Sequence, residues 1–166
     1  MKRLPYLILS LAVIALDAFT KWLIIERVPL NSAFPVIENL FQIVHVRNTG
    51  AAFGIGANSN SPVVPIMLNG GAIVVFIIVV FYSLRSQVSD RLLQTGLHLI
   101  LGGAIGNLID RFRFGSVVDF LDVFVSFGGR EHHWPAFNVA DSAICVGIAL
   151  LFLDMWKRPQ EKAVPA

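Results

Sequence analysis

The sequence is short of charge and nearly free of cysteine. Only 14% of its 166 residues are Asp, Glu, Lys or Arg, against about 25% in a soluble domain. Low charge with high hydrophobicity excludes a disordered chain. The single cysteine, Cys145, excludes an intramolecular disulfide. No HExxH or CxxC spacing is present, so the usual zinc signatures are missing and no metal is expected. Of the four histidines, His132 and His133 are adjacent after Glu131, a poor arrangement for sharing one ion, and Glu131–His133 is expected to be a loop. The net charge is only +2, with no basic stripe interleaved with aromatics, so nucleic acid is not an expected partner. What is abundant is apolar: 55% of residues, with a mean hydropathy of +0.70. One domain of this length has too little interior for so much apolar surface, and the solvent it calls for is a bilayer.

Four apolar runs approach the roughly 20 residues that span hydrocarbon: residues 4–25, 63–84, 92–109 and 139–156. A single multi-pass domain over residues 1–166 is therefore expected. Lys2 and Arg3 before the first run resemble a secretory leader. That run is too long for a leader core, no A-x-A site follows, and Asp17 and Lys21 stand where cleavage would fall, so a retained helix is expected. Lys2, Arg3, Arg85, Arg91, Lys157, Arg158 and Lys162 would share one side; Arg27, Arg47, Arg111, Arg113 and Arg130 would share the other, in much longer segments. This density places both termini inside and segments 26–62 and 110–138 outside. In the outer segments, Leu40–Arg47 reads as a strand, Gly50, Gly54 and Gly56 as a bending stretch, and Gly115–Phe127 as amphipathic and interfacial.

Ionisable residues in or beside such spans are costly and are candidates for function. Asp17 and Lys21, at i and i+4, could form an internal ion pair with Lys21 snorkelling outward. Gly102 and Gly106 form a GxxxG suited to close helix packing. Asn107 and Arg111 follow on one face, where Arg111 could snorkel or grip a carboxylate bidentately. Asn138 and Asp141 have capping-box spacing. Asp119 is enclosed by Val117, Val118, Phe120 and Leu121 and has no basic residue within four positions, whereas Asp110 and Asp122 look like interface residues. Two carboxylates brought together share a proton, one activating water and the other donating to a carbonyl oxygen. Asp119 and Asp141, both expected at the outer interface, suit that aspartic chemistry. A proton-coupled transporter using Asp17, Asp119 and Asp141, or a non-catalytic assembly protein, are the alternatives.

These residues occur in a recognisable order: Asp17-x-x-x-Lys21, Asn48-Thr49-Gly50-Ala51-Ala52-Phe53-Gly54, Gly103 to Arg111, Val117-Val118-Asp119-Phe120, and Phe137-Asn138-Val139-Ala140-Asp141-Ser142. The set resembles the bacterial lipoprotein signal peptidases, also called signal peptidase II. The resemblance implies an all-α integral membrane fold of four transmembrane helices with a small periplasmic β-cradle, in the cytoplasmic (inner) membrane. It implies a catalytic pair of Asp119 and Asp141, with Asn48, Gly50, Asn107, Arg111 and Asn138 lining or bracing the site and Asp17 and Lys21 supporting it. The implied substrate is a diacylglyceryl-modified prolipoprotein, cut before its lipid-bearing cysteine. No cofactor and no obligatory protein partner are implied.

Overall fold

The computed structural model describes residues 3–50 and 63–157. Ala51–Gly54 of the second motif, the bend expected at Gly54 and Gly56, and the basic residues Lys2, Arg158 and Lys162 lie outside them. The elements run α1 (Leu4–Arg27), β1 (Ala33–Ile37), β2 (Phe41–Asn48), α2 (Val63–Arg85), α3 (Arg91–Phe114), β3 (Val117–Phe127), β4 (Arg130–His133) and α4 (Val139–Lys157). Of these helices, α1, α3 and α4 are long and apolar enough to cross a bilayer. The apolar stretch counted in α2, Asn69–Arg85, is shorter.

Helix α3 occupies the middle of the helical layer. Its glycines let neighbouring helices approach, as small residues do where lipid supplies no hydrophobic drive between helices. A Cβ on Gly102 would stand 2.8 Å from the Cβ of Val13, and one on Gly103 would collide with the carbonyl of Ala140. Much of α1 beyond this contact is apolar and exposed, including Leu7, Ile8, Leu11 and Phe19, as a lipid-facing surface requires. At the start of α1, Arg3 ties that helix to the end of α2 by donating to the carbonyls of Ser83, Leu84 and Ser86.

The strands form one antiparallel sheet in the order β1-β2-β3-β4. Gly115, with φ of 69°, ends α3 in the left-handed conformation and turns the chain into β3. The segment expected to lie alone at the interface is thus the long central strand. Val117, Val118 and Val123 favour a pleated surface, and β2 offers them a ladder. Glu131–His133 is likewise corrected from loop to strand: β4 pairs with β3 from Phe124↔His133 to Phe127↔Arg130. The sheet is fixed to the helices by a small core in which Ile24 of α1 meets Val118 and Phe120 of β3.

Candidate active site

Asp119 comes from β3 and Asp141 from the first turn of α4, and both line one cavity of about 500 Å³. The cavity is apolar along α4, through Ile144, Val146 and Ile148, and polar at one end, where Asn48, Asn107 and Arg111 join the two acids. Asp119 is 2% exposed, and Asp141 is half-buried.

A chain of side-chain amides ties the carboxylates together. Asn138 Nδ2 donates to Asp119 Oδ1 at 2.7 Å and to Asn107 Oδ1 at 3.3 Å. Asn107 Nδ2 then donates to Asp141 Oδ1 at 2.7 Å. The second oxygen of Asp119 accepts from Asn48 Nδ2 at 2.9 Å. The capping box forms as its spacing predicts: Asp141 N donates to Asn138 Oδ1 at 2.9 Å, and Asn138 N to Asp141 Oδ2 at 3.3 Å. Capping and facing the cavity are therefore compatible roles for Asp141. Asn138 is fully buried and spends both ends of its amide on this site. Burial pushes the Asp119 carboxyl up to about 7, the nearby Asp141 adds to the rise, and the Asn48 and Asn138 donors oppose it. A carboxyl poised near neutrality can hold or release a proton at physiological pH.

Beneath the pair lies an ion cluster. Lys21 Nζ stands 2.8 Å from Asp17 Oδ2, 3.1 Å from Asp110 Oδ2 and 3.0 Å from Asn107 Oδ1. The i,i+4 pair of Asp17 and Lys21 forms, but Lys21 does not snorkel: it is 2% exposed and turned inward. The two acids it holds have a further task. Asp17 Oδ1 accepts the amide of Ala140 at 2.9 Å, and Asp110 Oδ2 accepts the amide of Val118 at 3.0 Å. Ala140 precedes Asp141 and Val118 precedes Asp119, so one ammonium organises the backbone just ahead of both carboxylates. Gly106 makes room for this, since a Cβ there would stand 2.6 Å from Asp17 Oδ2.

Asp110 is thus corrected from interface residue to member of the buried cluster. Its signal was in the sequence: Gly103, Gly106, Asn107 and Asp110 recur at helical spacing on the side of α3 turned toward α1 and α4. Asp122 is also buried, accepting from Gln42 Nε2 at 2.6 Å and paired with His133 at 2.9 Å. That hydrogen bond holds the His133 imidazolium above its usual pKa. Among the described residues Arg111 forms no ion pair with a carboxylate; its Nη2 donates to the Gly50 carbonyl at 3.5 Å. Gly50 is held in turn by an Asx turn, its amide donating to Asn48 Oδ1 at 2.9 Å. The wall formed by Trp134 and Ala136 beside Phe137 had no sequence signal, because it forms only once Phe137 pairs with Leu121.

Of the residues singled out from the sequence, Asn48, Asn107, Arg111, Asp119 and Asp141 line this cavity, Asp17 and Lys21 lie in the ion cluster beneath it, and Asp122 and His133 pair with each other apart from both. Known proteins resemble the chain over most of its length. Residues 9–157 match the family described as signal peptidase (SPase) II. A lipoprotein signal peptidase of Syntrophotalea carbinolica is 49% identical over 152 residues, 91% of this chain and 90% of that one. Its counterpart in Syntrophus aciditrophicus is 40% identical over 158 residues, 95% and 96% of the two chains. A bacterial membrane enzyme solved by the in meso method at 2.3 Å resolution superposes with a TM-score of 0.81 at 28% identity, over 98% of this chain and 93% of that one. Matches of this extent in both sequence and fold establish that the chain belongs to the signal peptidase II family.

Proposed function

We propose that this peptidase works by aspartic chemistry, with Asp119 and Asp141 as its catalytic pair. As a member of its family the chain removes signal peptides from prolipoproteins. The observation that carries the aspartic reading is the amide chain from Asp119 through Asn138 and Asn107 to Asp141 at the polar end of one cavity. In the proposed reaction, ionised Asp141 takes a proton from water as its oxygen attacks the scissile carbonyl carbon. Neutral Asp119 gives its proton to the carbonyl oxygen, producing a tetrahedral diol. Collapse returns a proton to Asp119 from the diol, and Asp141 passes its own to the leaving amine. Helix α4's N-terminus favours the charge on Asp141, and the burial of Asp119 favours its neutral form.

The proposed substrate carries a diacylglyceryl-modified cysteine, and the cut falls before that cysteine. The apolar reach of the cavity along Ile144, Val146 and Ile148 supports a lipid-borne substrate that enters laterally. Its acyl chains would bring the scissile bond to the acids, so remote binding energy would serve orientation. The chain would form a single four-crossing domain, with α2 as the fourth crossing. Both termini would lie in the cytoplasm and the sheet would lie at the outer surface of the cytoplasmic membrane. Asn48, Gly50, Asn107, Arg111 and Asn138 would shape the site, and Asp17 and Lys21 would support it.

The test is incubation of the purified chain with a diacylglyceryl prolipoprotein and with its unlipidated precursor, followed by mass analysis. Release of an intact signal peptide, with the lipidated cysteine at the new N-terminus, is expected from the first only. Equal rates on both precursors would refute the lipid-dependent reading.

A further inference from the structure

Part of the candidate active-site cavity is walled by Trp134 and Ala136 beside Phe137, from the stretch between β4 and α4. That stretch is an arch with two feet on β3. At the first foot, the Trp134 amide donates to the Val123 carbonyl at 2.8 Å. At the second, Phe137 and Leu121 exchange backbone hydrogen bonds of 3.0 and 2.8 Å. Pro135, between the feet, has no amide to add. The first foot continues β4, a strand of 4 exposed residues that pairs with β3 at the end of the sheet. A two-stranded hairpin of that kind is marginal without further support.

The support comes from a row of polar side chains. Asp122 lies three residues along β3 from Asp119, hence on the opposite face of the strand, away from the cavity. It accepts from Gln42 of β2 at 2.6 Å and binds Nδ1 of His133, the last residue of β4, at 2.9 Å. The other ring nitrogen meets Glu131 Oε2 at 3.3 Å, and Phe124 stacks on the ring with centroids 4.9 Å apart. One carboxylate thus joins three strands. A neutral imidazole has a single N–H, whereas both nitrogens of His133 face carboxylate oxygens, so the imidazolium is the form that satisfies both. Among the described residues, its ion-pair partners are Asp122 and Glu131. The Asp122 hydrogen bond, foremost, holds its pKa above the usual 6.5.

We propose that His133 is a positioning residue: its imidazolium, clamped on Asp122, holds the foot of the arch and so fixes the cavity wall against which substrate packs. The inference deepens the proposed function and rests on that reading of the cavity. His133 does not itself line the cavity; it acts through Trp134, its neighbour in the chain. The clamp is complete below the ordinary histidine value of 6.5 and is lost as pH rises through the higher value of the folded chain. Asp119, raised to about 7, acts on kcat in the proposed reaction, whereas the clamp acts on KM.

The first test is hydrogen exchange of the full chain in detergent, without substrate, read at the Trp134 amide and corrected for the intrinsic rate at each pH. Protection should fall by up to about tenfold per pH unit above 6.5, until the imidazolium has lost its proton. H133Q keeps an N–H for Asp122 and does not titrate, so its protection should stay level with pH. D122N should show the low protection of the alkaline parent at every pH. Thermal unfolding confirms that each variant is folded. The second test is the cleavage assay across the same range. KM should rise with pH in the parent and stay level in H133Q, while both share the fall in kcat. Level protection in the parent would overturn the inference, as would an undiminished pH response in folded H133Q or a KM that ignores the loss of protection. No cleavage with the exchange response intact would instead refute the proposed function and leave the clamp standing.

Discussion

Lys21→Met isolates the contribution of the ion cluster. The substitution keeps an unbranched chain of similar length and deletes one charge. It takes away the partner 2.8 Å from Asp17, the partner 3.1 Å from Asp110 and the donor 3.0 Å from Asn107. Two buried carboxylates then face each other without a cation. Removing one member of a buried ion pair costs about 3–5 kcal/mol, because the remaining charge is left uncompensated. For a chain of this size, each kcal/mol moves the unfolding midpoint by roughly 2–4 °C. The midpoint of Lys21→Met should therefore fall by about 6–20 °C, read by thermal unfolding in detergent. Lys21→Met/Asp17→Asn removes one of the two stranded charges, and the asparagine carbonyl can still accept the Ala140 amide. The double variant should recover a substantial part of the loss. A single variant within about 2 °C of the parent by that scale, or a double variant less stable than the single, would refute the cluster's role. Activity adds a second readout. If the cluster positions the two aspartates, Lys21→Met should lower kcat more than it raises KM in the fraction that remains folded.

Asp119→Asn and Asp141→Asn should each lower kcat on the order of a thousandfold while leaving a folded protein that binds substrate. The double variant should be no slower than either single, since the two act as one unit; substantial cleavage by either single variant would end the aspartic reading. The pH–rate profile should be bell-shaped. Its basic limb reports Asp119, whose carboxyl is raised to about 7: the active protonated form is present below that pH, and the rate should fall as pH rises through it, toward about tenfold per unit. A rate that stays flat from pH 6 to pH 9, read in the same cleavage assay, would remove the proton from Asp119 as a requirement. Reporter fusions after Ser86 and near Arg130 should read cytoplasmic and external respectively, and an external report at Ser86 would invert the proposed topology.

The helices were legible in the sequence because lipid imposes a length and a composition on whatever crosses it. The expected runs and the observed helices start within a residue of each other, and three of the four also end within two. Helix α3 is the exception, extending to Phe114 rather than residue 109. Its last turn contains Asp110, Arg111 and Arg113, which break the apolar run without breaking the helix. The sheet was half legible. Leu40–Arg47 announced itself by β-branched and aromatic residues and forms as Phe41–Asn48, whereas β1 and β4 are short, exposed edge strands whose pairing depends on neighbours distant in the chain. Likewise, Asp119 and Asp141 stood out as acids in apolar surroundings, but the spacing of neither revealed Asp110's acceptance of the Val118 amide. That contact depends on where α3 ends and how Gly115 turns the chain, a tertiary fact with no local period.

The hydrogen bonds around Asp119 constrain the proposed chemistry further. A neutral carboxyl has one proton to place, and both oxygens of Asp119 already receive an N–H: Oδ1 from Asn138 and Oδ2 from Asn48. A proton directed at either amide would meet another donor, so it must use a lone pair that neither amide occupies. Asp141 likewise accepts two N–H donors, Oδ1 from Asn107 and Oδ2 from the Asn138 backbone amide. The same two asparagines thus join the acids. Asn138 donates to Asp119 and caps the helix carrying Asp141, while Asn107 donates to Asp141 and accepts from Lys21. Burial raises the Asp119 carboxyl to about 7 against the opposing pull of the Asn48 and Asn138 donors, so in the proposed mechanism it is burial, and not hydrogen bonding, that keeps the proton on Asp119 before a substrate arrives.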